Sequence, residues 1–76
     1  MEPPMTLIEA RDWIDGQYRT GARHVAVKLF SSHLWLSSSA GPQRLVMKTD
    51  DEGVINRMSV DLKDYVRTKE RGAAHV

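Results

Sequence analysis

The feature that most constrains the fold is the change of apolar period at His24, from helical spacing before it to strand alternation after it. From there Val25, Val27 and Leu29 fall on one side of an extended chain, and His24, Ala26, Lys28 and Phe30 on the other. Ser31-Ser32 offers a turn, though neither serine is a preferred hairpin residue. Past it, Leu34 and Leu36 match the first face, and His33, Trp35 and Ser37 the second. Two strands joined by a tight turn are therefore expected.

Ahead of His24 the signals are helical. Thr6-Leu7-Ile8-Glu9 matches a capping box, in which the threonine hydroxyl and the glutamate carboxylate each accept from the other residue's backbone N–H. Leu7, Ile8, Ala10, Trp13 and Ile14 then gather on one helical face. Gly21 supplies a left-handed cap, so the first helix is placed at about residues 6–19.

Beyond Leu36 the chain reads as a loop from Ser37 to Gln43, punctuated by Gly41-Pro42. Alternation then resumes, with Leu45 and Met47 opposed by Arg44, Val46 and Lys48. Asp50-Asp51-Glu52-Gly53 reads as a second hairpin loop, followed by a fourth strand with Asn56 and Met58 inward and Ile55, Arg57 and Ser59 outward. Val60-Asp61 opens a second helix, with Asp61 as N-cap and Val60 stapled onto Tyr65. Leu62, Tyr65, Val66 and Lys69 form its inner side, and Lys69, Arg71 and Gly72 suit its end. The expected order is α-β-β-β-β-α. This is a single α+β domain over residues 6–72, with an antiparallel sheet of three to four strands and both helices on one face. Residues 1–5 and 73–76 are expected to be flexible ends.

Size limits what such a domain can do alone. A chain of 76 residues buries roughly 60% of the surface its unfolded form exposes, which leaves a marginal core. Small proteins often compensate with disulfides, a metal or a partner chain. With no cysteine, disulfides, thiolate metal sites and a cysteine nucleophile are all excluded. The remedy left is a partner, either another protein or a second copy in a homodimer. The longest unbroken apolar runs are three residues, such as Val25-Ala26-Val27, against the about 20 a membrane-spanning helix needs. The Met-Glu-Pro-Pro start is unlike a secretory signal, so a cytoplasmic location is expected.

The net charge of +1 conceals a segregation. Residues 1–15 hold Glu2, Glu9, Asp12 and Asp15 against Arg11 alone, whereas residues 16–49 contain no acid and carry Arg19, Arg23, Lys28, Arg44 and Lys48. If the helices cover one sheet face, the other presents Lys28, Phe30, His33, Trp35, Arg44, Lys48 and Arg57, together with Val46 and Ile55. Lys28 lies opposite Trp35 in this register, within reach of a cation–π contact. Large aromatics among bases on an open sheet face are the strongest sign of a binding surface. Three readings fit it: packing against a second copy or the chain's own termini, another protein met by Trp and Arg hot-spot residues, and nucleic acid stacked on aromatics with phosphates on Lys and Arg. The acidic Asp50-Asp51-Glu52 cluster and the small net charge count against the last.

Catalytic signals are sparse. His24, His33 and His75 lack the further ligands a metal needs, so neither metal nor cofactor is expected. His33 beside Ser31 and Ser32 would suit the general base of a small metal-free nuclease, but no orienting partner for it is evident. Ser37-Ser38-Ser39 is not a nucleophile elbow, the five glycines are too dispersed for a phosphate cradle, and Asp50 to Gly53 lacks calcium-loop spacing. Nothing points to a small-molecule substrate or to a membrane surface.

The element order is loosely similar to the α-β-β-β-α of double-stranded-RNA-binding domains. The basic signature expected at the start of their second helix is replaced by Asp61-Leu62-Lys63-Asp64, so no family is assigned. The sequence thus reads as a non-enzymatic protein-binding module or stoichiometric inhibitor. Small cofactor-free proteins of this kind are common among phage and mobile-element inhibitors of host machinery such as defence nuclease complexes. The alternatives carried forward are a nucleic-acid-binding domain on the same face and the His33 nuclease.

Overall fold

A computed structural model describes residues 4–74. Among these, α1 (Leu7–Arg19), β1 (Val25–Phe30), β2 (His33–Ser38), β3 (Gly41–Lys48) and α2 (Glu52–Ala74) follow one another, and the strands form one antiparallel sheet in the order β1-β2-β3. The α+β class stands. The segment expected to be a fourth strand, 54–59, is helix.

Helix α1 starts and stops where its caps dictate. The Thr6 hydroxyl accepts from the Glu9 N–H at 3.1 Å, and the Glu9 carboxylate accepts from the Thr6 N–H at 3.0 Å. At the other end the Ala22 N–H reaches the Gln17 carbonyl and the Gly21 N–H the Tyr18 carbonyl, with Gly21 at φ 102°. This is a Schellman closure, which requires a residue that tolerates positive φ. Ala10 and Ile14 are buried, while Ile8, expected inside, is 71% exposed.

The segment expected to be a second hairpin and a fourth strand is the first part of α2. Asp51 caps it, its Oδ1 accepting from the Val54 N–H at 3.1 Å, and the Thr49 hydroxyl accepts from the Asp51 N–H. Helix wins because Ile55, Ser59, Leu62 and Val66 all lie on one face at i, i+4, i+7 and i+11 and are all buried. A strand over 54–59 would break that stripe and leave the remaining helix short of apolar anchors. Asp61 is therefore a mid-helix residue and not a cap, and Val60 is exposed instead of stapled to Tyr65.

One core joins these elements. Ala10 and Ile14 from α1, Ile55, Leu62 and Val66 from α2, and Val25, Leu34, Leu36 and Val46 from the sheet make a single buried cluster, so both helices cover the same sheet face. Each fully buried Ile, Leu or Val contributes about 1.5–3 kcal/mol relative to exposure. Met5 belongs to it too. Its side chain is buried and its N–H donates to the Val46 carbonyl at 2.8 Å. Residues 1–3 and 75–76, including His75, lie outside the described residues.

Strand β3 begins earlier than the alternation suggests. The stretch expected to be a loop is largely strand, since Ser38 pairs with Gly41 across a turn at Ser39-Ala40. Ser39 secures this end by accepting from the Arg23 and His24 N–H groups through its hydroxyl. The β2–β3 ladder then shifts between Leu34 and Trp35, with Leu34 opposite Met47 but Trp35 opposite Leu45. Val46 is the extra residue of this bulge and turns fully into the core. Leu45 and Val46 thereby exchange the faces that simple alternation assigns to them.

Candidate functional site

The face of the sheet turned away from the helices is built around the β1–β2 hairpin. Paired residues share a face, so Lys28 with Trp35, Phe30 with His33, His33 with Lys48 and Trp35 with Leu45 all lie on this side. Phe30 is 60% exposed, and the rings of His33 and Trp35 stack with centroids 6.5 Å apart at an interplanar angle of 11°. Lys28 and Lys48 are exposed beside them. Five of the seven expected surface residues therefore converge: Lys28, Phe30, His33, Trp35 and Lys48.

Two do not. Arg44 stands opposite Leu36, on the helix side of β3, where its charge helps to lower the pKa of Glu9. The larger causes of that lowering are the Thr6 backbone N–H and the Thr6 hydroxyl. Arg57 is on the exposed side of α2, because the strand that was to carry it is helix. Val46 and Ile55 are buried and leave the face as well. Leu45, expected in the core, replaces them on it.

The turn that presents these residues is strained. Ser31 and Ser32 have φ of 50° and 61°, the left-handed pair of a type I′ turn that Asn-Gly usually occupies. The Ser31 carbonyl accepts a hydrogen bond from His33 Nδ1, and the Ser32 carbonyl one from the Thr49 N–H. The first bond places the proton of a neutral imidazole on Nδ1 and turns the Nε2 lone pair outward. Among the described residues no carboxylate orients this ring. Its partners are a backbone carbonyl and an indole.

A second polar cluster, not legible from the sequence, joins the helices. The Tyr65 hydroxyl donates to both Asp15 oxygens at 2.8 and 2.9 Å, and Lys69 Nζ approaches Asp15 Oδ1 at 3.0 Å. Arg11 lies over the Tyr65 ring at 5.2 Å. Partial burial would push the Asp15 carboxyl up, but the Tyr65 hydroxyl and Lys69 outweigh it and hold it below the usual aspartate value. Burial foremost, and then the Asp15 carboxylate, raises Tyr65. The spacing of Asp15 from Tyr65 crosses two elements, so only the packing reveals it. Its role is to fasten α1 to α2.

A third group sits where β1 begins. His24 Nδ1 is 3.2 Å from Glu70 Oε1, to which the Tyr18 hydroxyl also donates at 3.4 Å. Together with Ala22 and Arg23 they line an open cleft of about 450 Å³. Burial first and then Glu70 raise the Tyr18 hydroxyl. Exposed pairs of this kind hold little free energy. His24 precedes β1, and His33, which opens β2, pairs with Phe30 at the far end of β1, so the two stand about 20 Å apart by strand rise. Among the described residues no group of three or more His, Asp or Glu side chains could hold a metal ion, and no helix is long and apolar enough to cross a membrane. No family model, no curated protein and no solved structure matches the chain.

Proposed function

We propose that this protein is a non-catalytic binding module that docks onto another protein through the open sheet face, in the stoichiometric manner of an inhibitor. The observation that carries the reading is Phe30, 60% exposed beside the stacked His33–Trp35 pair and backed by Leu45. An aromatic centre with charges at its margin is how binding energy is concentrated in protein interfaces. The margin here is basic, Lys28 and Lys48, so the partner is apolar at its centre and acidic around it. The strained Ser31-Ser32 turn adds support, since backbone strain is retained where a side chain must be held in one place. Host machinery, a defence nuclease complex for instance, is the partner class that a small cofactor-free chain of phage or mobile-element origin would meet; size and composition support that part.

Nucleic acid fits the same face less well. Arg44 and Arg57 are elsewhere, which leaves two lysines for phosphate contacts, and the N-terminal turn of α2 holds Asp51 and Glu52 where an anion-binding helix end would need to be free of acids. The deciding experiment captures partners from an extract of the source cell with the wild-type protein, purifies what is captured and measures its stoichiometry and affinity. A single partner bound one to one is expected, weakened about 100-fold by Phe30→Ser combined with Trp35→Ala, as for a hot-spot pair. Unchanged affinity in that double variant rejects the reading, and so does binding of oligonucleotides in its place at low salt.

A further inference from the structure

The margin of β1 carries an inference separate from the open face. In the β1–β2 ladder Phe30 faces His33 across the turn, and the Ser39 N–H donates to the His24 carbonyl at the far end. Bonded pairs alternate along an antiparallel ladder, so residues 24, 26, 28 and 30 direct their backbone groups toward β2. Val25, Val27 and Leu29 direct theirs outward. The Tyr18 hydroxyl takes the Val25 N–H. For the outward N–H and C=O groups of Val27 and Leu29 no hydrogen-bond partner stands among the described residues. The sheet's other margin is different, because Met5 pairs with Val46 there.

Helix α2 runs along this open margin and shapes it. Val25 and Val27 of the strand and Lys63, Val66 and Arg67 of the helix line a cleft of about 240 Å³ that opens to the side. Its floor is apolar, and its outer rim carries Lys63 and Arg67, the latter 3.3 Å from Asp64 Oδ1 in an exposed pair that holds little free energy. Glu70, the acid at its far end, is already engaged by Tyr18 and His24. Exposed strand margins of this length are templates for another strand unless something blunts them, and β1 itself carries a single charge, Lys28, and no proline.

We propose that this margin accepts an extended, acidic segment of a partner protein as an added strand. Its backbone pairs with Val27 and Leu29, one apolar side chain enters the cleft between Val27 and Val66, and acidic side chains meet Lys63 and Arg67 on the helix side and Lys28 on the other. A second copy of this chain is the poorer occupant. Two β1 strands paired about an axis near Val27 bring Lys63 and Arg67 of each copy toward their counterparts, where like charges repel.

The test uses short, end-blocked peptides of alternating valine and glutamate, with a valine–lysine peptide as counterpart, added to the isotopically labelled full chain. Amides of Val27 and Leu29 are expected to exchange freely in the protein alone and roughly tenfold more slowly with the glutamate peptide, since an added strand protects them. The lysine peptide is expected to leave them unchanged. Val27→Pro removes one outward donor at a position where an edge strand accepts proline, and it is expected to weaken the glutamate peptide about tenfold while the chain stays folded. Lys63→Glu with Arg67→Glu leaves the strand untouched and is expected to weaken it to a similar degree, whereas Trp35→Ala leaves it intact. The proposal is overturned if the glutamate peptide protects neither amide or if the charge-reversed variant binds it undiminished. Protection of both amides in the protein alone also overturns it: independent of concentration it means the chain covers its own margin, and rising with concentration it means a second copy does.

Discussion

Replacing Ser31-Ser32 by Asn-Gly is expected to make the protein more stable, and the size of the gain follows from two backbone angles. Both serines sit at positive φ, 50° and 61°, a region that costs an L-residue roughly 1–2 kcal/mol. Glycine at position 32 removes that penalty but adds freedom to the unfolded chain worth about 0.5–1 kcal/mol, and asparagine at 31 recovers a few tenths more because it tolerates the left-handed region. The net expectation is about 1 kcal/mol, or a rise in Tm of about 4–8 °C for a domain of this length. The His33 bond to the Ser31 carbonyl is a backbone contact and survives the change. Thermal unfolding of the wild type, each single variant and the pair, followed by far-ultraviolet circular dichroism, measures it. Ser32→Ala serves as control, because alanine keeps the strain and should leave Tm nearly unchanged. A pair variant that melts at or below the wild-type temperature would show that the turn is not of the type I′ form and that the register built on it is wrong.

Four further outcomes follow from the same geometry. Gly21→Ala forces a side chain into φ 102°, and should lower stability by about 1–2 kcal/mol in urea unfolding even though no atom crowds the position. Asp51→Ala removes the cap of α2 and should cost about 1 kcal/mol; no change would mean that the helix begins further along the chain. Tyr65→Phe deletes the hydroxyl shared by both Asp15 oxygens and should cost about 1.5–3 kcal/mol at neutral pH, as for a bond to a charged group. The Asp15 pKa is held below its usual 3.8, so the stabilisation is complete above that value and disappears as pH falls through the lower folded value. Asp15→Asn should therefore flatten the acid limb of the stability profile, and an unaltered limb would remove Asp15 from the account.

How far the fold can be read from the residues depends on whether a signal is local. Thr6 with Glu9, and Gly21 fifteen positions after Thr6, mark α1 because caps act within a turn of the helix. The β1–β2 register follows from alternation about Ser31-Ser32, and that alone brings Lys28, Phe30, His33 and Trp35 together. The start of α2 is not legible in the same way. Val54 to Ser59 satisfies strand alternation as well as helical spacing, and the choice is made by Ile55 and Ser59 joining Leu62 and Val66 against the sheet. Nor does any residue announce the bulge at Val46, which moves Leu45 onto the open face and places Arg44 on the other. Lys48 keeps its expected side because it lies between the bulge and the Thr49 contact that closes the hairpin. The Asp15–Tyr65–Lys69 cluster spans both helices, so it exists only once they pack.

The place where a partner touches the protein decides most directly whether the open sheet face is a binding surface. With a purified partner at one-to-one saturation, backbone and indole NMR shifts should move at Phe30, His33, Trp35 and Lys48, with the Trp35 indole losing contact with solvent and the Trp13 indole unaffected. Shifts confined to the exposed apolar residues of the helices, Ile8, Val54 and Val60, would contradict it, because the sheet face would then be bystander surface.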